Sequence, residues 1–133
     1  LVLITNKRIA VSVVSNLVLI ALLNNILKLI VRRARPTGFR LVEETGYSFP
    51  SGHSMVSMAF YGYLIYLIHK NVKNKKLRWT LMVGFGLLIF IIGMSRIYLG
   101  VHYTSDVFAG FLFSLGYLVV YIKFTDPIVF QKK

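Results

Sequence analysis

Four long apolar segments constrain the fold of this chain more than any other feature. The first covers about residues 9–31, and the others cover about residues 55–68, 79–94 and 105–124. A helix needs about 20 residues to cross a hydrocarbon core of about 30 Å. Hydrophobic residues make up 56% of the chain and its mean hydropathy is +0.69, which excludes an ordinary soluble domain. We therefore predict an all-α fold, a polytopic transmembrane helix bundle with four full spans.

Charge and cysteine content exclude several classes of function. The formal net charge of +12 would suit a nucleic-acid partner. However, the Lys and Arg residues fall in short clusters between the apolar segments and form no single basic face, so we expect no nucleic-acid binding. The chain has no cysteine, which excludes disulfides, thiolate nucleophiles and thiolate metal sites within it.

Polar and small residues inside the apolar segments predict helix packing. We interpret amides in the first segment as interhelical hydrogen-bonding groups, and glycines in the third as points of close helix approach. These residues are Asn16, Asn24 and Asn25 in the first segment and Gly84, Gly86 and Gly93 in the third.

The stretch S-R-I-Y-L-G-V-H-Y-T-S-D, residues 95–106, places ionisable groups at the mouth of the fourth segment. His102 and Asp106 are four residues apart. If Asp106 opens a helix, its carboxylate can hydrogen-bond one imidazole nitrogen and leave the other free. Arg96 adds a planar cation suited to phosphate oxygens. The alternative is an interhelical loop with a few polar residues at the headgroup level.

The stretch Y-S-F-P-S-G-H-S, residues 47–54, precedes the second segment. Ser51 can cap the helix that follows, and backbone amides near Ser51 and Gly52 would then point outward and favour an anion. His53 lies in the first turn, where we expect an acid or base role. An interfacial histidine without a chemical role is the alternative.

A basic run closes the first segment. Lys28, Arg32 and Arg35 have the spacing of one helical stripe, and Pro36 predicts the end of that helix. A snorkelling basic cap at the membrane surface is the alternative. Residues 37–49 are expected to form a loop whose acidic pair, Glu43 and Glu44, is solvated.

Four spans of alternating direction bring the candidate residues to one membrane face, which would hold Lys28, Arg35, Ser51, His53, Arg96, His102 and Asp106. Ionisable groups near a bilayer are costly unless they are paired or used, so this collection favours a functional site. The opposite face holds more Lys and Arg, an excess typical of the cytoplasmic side. We therefore predict a plasma-membrane protein whose site faces the extracytoplasmic side.

Three cations beside a helix N-terminus indicate a site for a tetrahedral oxyanion, the charge distribution that phosphoryl transfer develops. One histidine can attack phosphorus while the other protonates the departing oxygen. His102, paired with Asp106, is predicted as the nucleophile and His53 as the acid, which predicts a bell-shaped pH dependence of activity. Two histidines and one aspartate make a poor metal site, so neither a metal nor another cofactor is expected.

Three motifs of this chain resemble the signature motifs of the type 2 phosphatidic acid phosphatase (PAP2) superfamily, lipid phosphatases related to vanadium haloperoxidases. They are Lys-x6-Arg-Pro at residues 28–36, Pro-Ser-Gly-His at residues 50–53 and Ser-Arg-x5-His-x3-Asp at residues 95–106. All three match in residue, spacing and order, and the resemblance covers about residues 9–124.

The resemblance implies a metal-independent phosphatase with a phosphohistidine intermediate on His102, partnered by Asp106, and with His53 as the leaving-group acid. It also implies phosphate contacts, which fall on Lys28, Arg35, Ser51, Gly52, Ser95 and Arg96. Membrane members of the superfamily usually have six spans with the site on the outer side. Residues 1–133 are therefore expected to form a single domain that lacks the first two of those spans.

Several hypotheses about the function stay open. The first is an integral-membrane lipid phosphatase acting on a phosphate monoester or diphosphate such as phosphatidic acid, phosphatidylglycerol phosphate or undecaprenyl diphosphate. A subsidiary hypothesis is that Arg32 and Arg33 suit a diphosphate, with binding of anionic lipid headgroups or simple solvation as the alternatives. The alternatives are a non-catalytic membrane protein that binds anionic lipid phosphate and a lipid phosphotransferase. The expected partners are the lipid substrate and the membrane, and no protein partner is indicated.

Overall fold

The computed structural model describes residues 2–131, with side chains from residue 6 onward, and contains four α-helices. They are α1 (Val2–Val31), α2 (Gly52–Asn71), α3 (Lys75–Tyr98) and α4 (Thr104–Val129). No strand occurs in this part of the chain. The prediction of an all-α helix bundle is confirmed, and each helix contains one of the four apolar segments and extends beyond it.

Three of the helices are long and apolar enough to cross a membrane, over Asn6–Val31, Lys75–Tyr98 and Thr104–Val129. The remaining helix, α2, has 20 residues, but serines, tyrosines and histidines lower its hydropathy. α2 packs against α1, α3 and α4, so these polar side chains have protein neighbours. Among the described residues, three of the four predicted spans are therefore found by length and composition, and the fourth helix, α2, packs against the other three.

The helices alternate in direction. At one end of the bundle, Arg8 near the start of α1 donates to the Ile128 carbonyl near the end of α4, at 3.1 Å. At the other end, the Ser51 amide before α2 donates to the Asp106 carbonyl in the first turn of α4, at 3.1 Å. The end of α1, the starts of α2 and α4 and the end of α3 therefore meet at one end of the bundle, as the sequence predicts.

Buried hydrogen bonds fix α1 against α2 and α4. The Tyr63 hydroxyl donates to Ser12 Oγ at 2.9 Å, and the Tyr121 hydroxyl donates to the Ser12 carbonyl at 2.5 Å. Asn16 Nδ2 donates to the Ala59 carbonyl at 2.9 Å. Buried polar groups are costly without partners, so these bonds select one register of the three helices. The packing interpretation is confirmed for Asn16.

The other predicted packing residues divide into two groups. Asn24 is buried and its Nδ2 lies 3.2 Å from Met55 Sδ, whereas Asn25 is exposed. A Cβ on Gly93 would lie 2.3 Å from Phe111 Cζ of α4, so Gly93 permits close packing of α3 and α4. Nothing lies within 4 Å of a Cβ built on Gly84 or on Gly86. The packing interpretation is therefore wrong for Asn25, Gly84 and Gly86, which occupy open faces of their helices.

Helix α1 ends earlier than Pro36 predicts. Arg32 has a φ of 51°, in the left-handed region, and its amide donates to the Lys28 carbonyl at 2.9 Å. This conformation stops a helix because the next residue can no longer follow the right-handed path. The prediction that Lys28, Arg32 and Arg35 share one helical stripe is wrong, since Arg35 lies beyond the helix.

The connection between α1 and α2, residues 32–51, folds over the end of the bundle. The Leu41 amide donates to the Leu99 carbonyl at 3.0 Å, which ties this connection to the one between α3 and α4. Gly100 has a φ of +73°, and a Cβ there would lie 2.1 Å from the Phe39 carbonyl oxygen. The two connections are therefore in close backbone contact above the helix ends.

Candidate active site

The predicted site residues collect at the end of the bundle that the 32–51 connection covers. α1 contributes Lys28, the connection contributes Arg35, the start of α2 contributes Ser51, Gly52 and His53, and α3 contributes Ser95 and Arg96. His102 lies in the connection before α4, and Asp106 lies in the first turn of α4. The alternation of helix direction thus brings all three motifs to one end.

His102 is buried, and both of its ring nitrogens have neighbours. Nδ1 lies 2.9 Å from the Ser48 carbonyl oxygen, which can only accept, so Nδ1 carries the proton. Nε2 then holds a lone pair, and Arg35 Nη1 lies 3.2 Å from it. Asp106 Oδ2 is 3.6 Å from Nδ1, too far for a hydrogen bond. The predicted direct bond between Asp106 and His102 is wrong, because the Ser48 carbonyl takes that place.

The surroundings of His102 keep its imidazole neutral. Burial lowers the pKa of His102 to about 4, the Arg35 guanidinium acts in the same direction, and the Asp106 carboxylate acts against both. Desolvation disfavours the charged imidazolium, and a neighbouring cation adds to that effect. A neutral imidazole with an unprotonated Nε2 is the form in which a histidine acts as a nucleophile.

Asp106 is completely buried and holds the groups around His102. Its Oδ2 accepts from the Tyr103 amide at 2.8 Å and from the Ser48 hydroxyl, while its Oδ1 lies 3.0 Å from Arg33 Nη1. Arg33 also donates to Ser105 Oγ at 2.6 Å, and its guanidinium lies 4.1 Å from the centre of the Tyr103 ring. Asp106 therefore fixes Ser48, whose carbonyl in turn orients His102.

Sequence reasoning missed Ser48, and it named Arg33 only as a residue suited to a diphosphate, without its contact with Asp106. Helical spacing favoured Arg32, its neighbour in the basic run, but Arg32 Nε donates to the Leu29 carbonyl at 2.9 Å. Ser48 lies in a loop without periodicity. A serine close to Pro-Ser-Gly-His is the only signal that the sequence offers for it.

Arg35 is held by backbone carbonyls. Its guanidinium donates to the carbonyls of Gly46, Val101 and Thr45 at 3.2, 3.1 and 2.9 Å. Burial lowers the pKa of Arg35 from its ordinary value, and the Glu44 carboxylate acts in the opposite direction. These bonds fix the guanidinium beside His102 Nε2, where a phosphate on that nitrogen would lie.

Arg96, near the end of α3, pairs with Glu44. Arg96 Nη2 lies 2.6 Å from Glu44 Oε1, and Glu44 Oε2 lies 3.9 Å from Arg35 Nη2. Arg96 Nε is buried and has no hydrogen-bond partner within residues 2–131. The prediction that Glu44 is solvated is wrong, because the fold of the 32–51 connection directs its carboxylate onto two arginines.

The start of α2 forms only part of the predicted anion site. Ser51 caps the helix, as predicted, since its Oγ accepts from the Ser54 amide at 3.4 Å. However, its own amide donates to the Asp106 carbonyl and does not point outward. In the described part of the chain, the amides of Gly52 and His53 have no acceptor. These two amides are therefore the ones available to an anion.

The remaining candidates differ in their contacts. The His53 side chain is exposed, makes no hydrogen bond to another described residue, and lines a groove of about 290 Å³ with Leu17 and Ile92. Lys28 Nζ donates to the Tyr47 carbonyl at 2.7 Å, and Ser95 Oγ donates to the Ile92 carbonyl at 2.6 Å. His53 is thus free to contact a ligand, whereas the Ser95 hydroxyl is bonded to its own helix.

The arrangement is suited to an anion with several oxygens. A neutral imidazole lone pair lies beside one arginine, and a second arginine keeps an unpartnered donor. Two free amides add donors at a helix N-terminus, where the helix dipole favours negative charge. Within residues 2–131, no three His, Asp or Glu side chains are grouped to hold a metal ion.

Comparison with curated proteins gives two informative relatives. Phosphatidylglycerophosphatase B of Bacillus subtilis is 40% identical over 105 residues, which are 76% of this chain and 49% of that protein. An undecaprenyl-diphosphatase of Sulfolobus acidocaldarius is 31% identical over 130 residues, which are 92% of this chain and 59% of that protein. The chain thus spans about half the length of the curated relatives it matches.

A solved structure of a related protein matches the fold of this chain. It is the crystal structure of a transmembrane PAP2-type phosphatidylglycerolphosphate phosphatase from Bacillus subtilis. The TM-score is 0.82 at 30% identity, with 96% of this chain and 67% of that chain covered. A sequence model of the PAP2 superfamily matches residues 9–129, a range that contains all three motifs. The chain is a membrane protein that belongs to the PAP2 superfamily.

Proposed function

We propose that this protein is an integral-membrane lipid phosphatase that removes a terminal phosphate from a lipid phosphate or diphosphate through a phosphohistidine intermediate on His102. The observation that carries this proposal is the unprotonated Nε2 of His102, whose lone pair accepts from Arg35 Nη1 at 3.2 Å. The names of both curated relatives, a phosphatase and a diphosphatase of lipids, support the same class.

In the first step, His102 Nε2 attacks phosphorus and the bond between phosphorus and the lipid oxygen breaks. His53 donates a proton to that oxygen, so the lipid leaves as an alcohol, or as a monophosphate when the substrate is a diphosphate. In the second step, His53 takes a proton from water, and the resulting hydroxide displaces the phosphate from His102. The products are the lipid and inorganic phosphate, and both histidines return to their starting states.

The other site residues bind the phosphate or hold His102. Lys28, Arg35 and Arg96 neutralise the charge of the phosphoryl group in the transition state, together with the amides of Gly52 and His53. Asp106 and Ser48 keep the Nδ1 proton of His102 in place, so that Nε2 faces phosphorus. Ser51 supports this set as the cap of α2, and the predicted phosphate contact of Ser95 would require its hydroxyl to leave the Ile92 carbonyl.

The substrate class is a lipid whose terminal phosphate lies at headgroup depth. Phosphatidic acid, phosphatidylglycerol phosphate and undecaprenyl diphosphate all meet this condition, and the names of the relatives favour the last two. The hypothesis that Arg32 and Arg33 bind a second phosphate has no support in the geometry. Arg33 is paired with Asp106, and Arg32 bonds its own helix end.

The experiment that tests the proposal compares the full protein with its His102→Ala variant on a panel of lipid phosphates and diphosphates in the presence of EDTA. We expect phosphate release that survives EDTA and is lost in the variant. Release that EDTA abolishes would contradict the metal-independent mechanism, and release that the variant retains would contradict the role of His102.

The same assay distinguishes the two alternatives. A non-catalytic protein that binds anionic lipid would release no phosphate from any lipid, while the His102→Ala variant would still bind lipid. A phosphotransferase would form a phosphorylated product only when an acceptor other than water is added. Thermal unfolding of parent and variant in detergent confirms that both are folded.

A further inference from the structure

The acidic residues of this chain have different surroundings. The chain has four Asp and Glu residues in total. Asp106 supports His102, and Asp126 pairs with Lys70 at 3.0 Å at the opposite end of the bundle. Glu43 is exposed and has no ion pair among the described residues. Glu44 is therefore the carboxylate that contacts the candidate phosphate-binding arginines.

Glu44 occupies these arginines only in part. Its two oxygens lie 2.6 Å from Arg96 Nη2 and 3.9 Å from Arg35 Nη2. Arg96 Nε is left buried without an acceptor. A buried donor without an acceptor is costly, and a ligand with three terminal oxygens has more acceptors for two guanidinium groups than one carboxylate has. The cation pair is therefore better matched to a phosphate than to Glu44.

We propose that Glu44 determines specificity by competing, as an internal anion, with the substrate phosphate for Arg35 and Arg96. This inference rests on the proposed function, because it places the phosphate on the same two arginines. Arg35 is fixed by backbone carbonyls, whereas the Glu44 side chain is 28% exposed at the site mouth. The carboxylate can turn out to solvent while the guanidinium of Arg35 stays in place.

The competition selects ligands by charge. A terminal phosphate carries a charge of about −1.5 to −2 at neutral pH and has three free oxygens. The phosphodiester of an ordinary phospholipid carries −1 and has two. A tethered carboxylate acts at an effective concentration in the millimolar range, so a monoanion gains little by replacing it. Glu44 thus keeps the diester headgroups of the surrounding membrane off the arginines and lets a terminal phosphate displace it.

The test measures orthophosphate binding to the full protein in detergent by calorimetry, for the parent, Glu44→Gln and Glu43→Gln. Glutamine has the shape of glutamate without its charge, and Glu43 is the adjacent residue without an ion pair, so its variant is the matched control. We expect Glu44→Gln to bind orthophosphate about tenfold more tightly, since a charge-assisted contact no longer competes. Glu43→Gln should bind as the parent does.

A second measurement adds phosphatidylglycerol, a monoanionic diester, to the micelles. It should weaken orthophosphate binding to Glu44→Gln and leave binding to the parent unchanged. The Glu44→Asp variant, which keeps the charge on a shorter side chain, should bind orthophosphate more tightly than the parent but less tightly than Glu44→Gln.

Weaker or unchanged orthophosphate binding by Glu44→Gln would overturn the proposal, because Glu44 would then position the arginines or have no part in selection. An equal gain in Glu43→Gln would overturn it as well, since net charge alone would explain the effect. Both readouts are independent of turnover. If the parent hydrolyses no lipid, the proposed function fails. If Glu44→Gln alone still binds orthophosphate more tightly in that case, the competition between Glu44 and phosphate is nevertheless supported.

Discussion

At the residue scale, the buried carboxylate of Asp106 is supported by Arg33, an arginine that the motifs do not include. Arg33 Nη1 lies 3.0 Å from Asp106 Oδ1, and the adjacent Arg32 contacts neither Asp106 nor His102. The two neighbours form a matched pair of identical side chains with different contacts. Removing the partner of a buried carboxylate leaves that group undersatisfied, whereas removing a contact to a helix end costs little.

Arg33→Ala should therefore lower the free energy of unfolding by about 1–3 kcal/mol. It should also lower kcat by about 10- to 100-fold, because a displaced Asp106 releases Ser48 and shifts His102. Arg32→Ala should leave both quantities close to those of the parent. Thermal unfolding in detergent and steady-state turnover of one lipid phosphate measure the two effects. Equal losses in both variants would show that Arg33 acts only as a general surface cation.

A second residue-scale prediction concerns pH. Burial and Arg35 lower the pKa of His102, so its neutral, nucleophilic form should persist at pH values where an ordinary histidine is protonated. A histidine with a lowered pKa in the folded state also stabilises the fold above its unfolded pKa. That contribution should be lost as the pH falls through the folded-state pKa, because the unfolded state binds the proton more readily.

Titration of histidine labelled with ¹³C, followed by NMR in detergent, measures this pKa in the free protein, with His102→Asn used to assign the signal. The signal of His102 should titrate well below the value of about 6.5 for an ordinary histidine. A His102 signal that titrates at or above the ordinary value would contradict the burial effect.

At the element scale, the contact between α3 and α4 depends on one small residue. A Cβ on Gly93 would lie 2.3 Å from Phe111 Cζ and 3.1 Å from Val107 Cγ1, whereas a Cβ on Gly86 of the same helix would meet open space. The aromatic ring and the branched side chain are packed between two helices and have little room to move. The two glycines therefore predict opposite outcomes for the same substitution.

Gly93→Ala should destabilise the protein by about 1–3 kcal/mol, the usual cost of overpacking. Gly86→Ala should be neutral or slightly stabilising, since alanine is the better helix former and nothing opposes it. The midpoints of thermal unfolding in the same detergent compare the two variants directly. Similar midpoints for both would show that α3 can shift away from α4 without cost.

The ends of the elements show what the sequence could and could not predict. Apolar segments located all four helices, because length and hydropathy are properties of the segment itself. The end of α1 was predicted too late, at Pro36, because the left-handed backbone of Arg32 stops the helix first. That conformation depends on how the 32–51 connection folds, which no local pattern indicates.

At the scale of the whole molecule, the motifs located His102, Asp106, Arg35 and Arg96 at one end of the bundle. A bundle of four alternating helices has only two ends, so the order of the segments was enough to predict that these residues share one end. The order of the segments could not predict which residues contact them. Ser48, Arg33 and Glu44 lie in the 32–51 connection, whose shape depends on contacts across the fold, such as the bond from the Leu41 amide to the Leu99 carbonyl. The extent of the domain, residues 1–133, stays a prediction.

The orientation in the membrane is the last prediction, and it belongs to the molecule as a whole. The end opposite the site carries a basic cluster that spans the end of α2, the short connection after it and the start of α3. Its members are Lys70, Lys73, Lys75, Lys76 and Arg78. Such an excess of Lys and Arg favours the cytoplasmic side. Phe39, which is 79% exposed in the 32–51 connection, and the exposed Lys73 mark the two ends.

This chain contains no cysteine, so a single introduced cysteine can be labelled there without interference from its own residues. In intact cells, a maleimide that does not cross membranes should label Phe39→Cys and leave Lys73→Cys unlabelled. After the cells are permeabilised, both should react, which shows that each thiol is accessible. The reverse pattern would place the site at the cytoplasmic face and its lipid substrate in the inner leaflet. Asp106 at the start of α4 and His102 in the connection before it lie on the same side as Phe39.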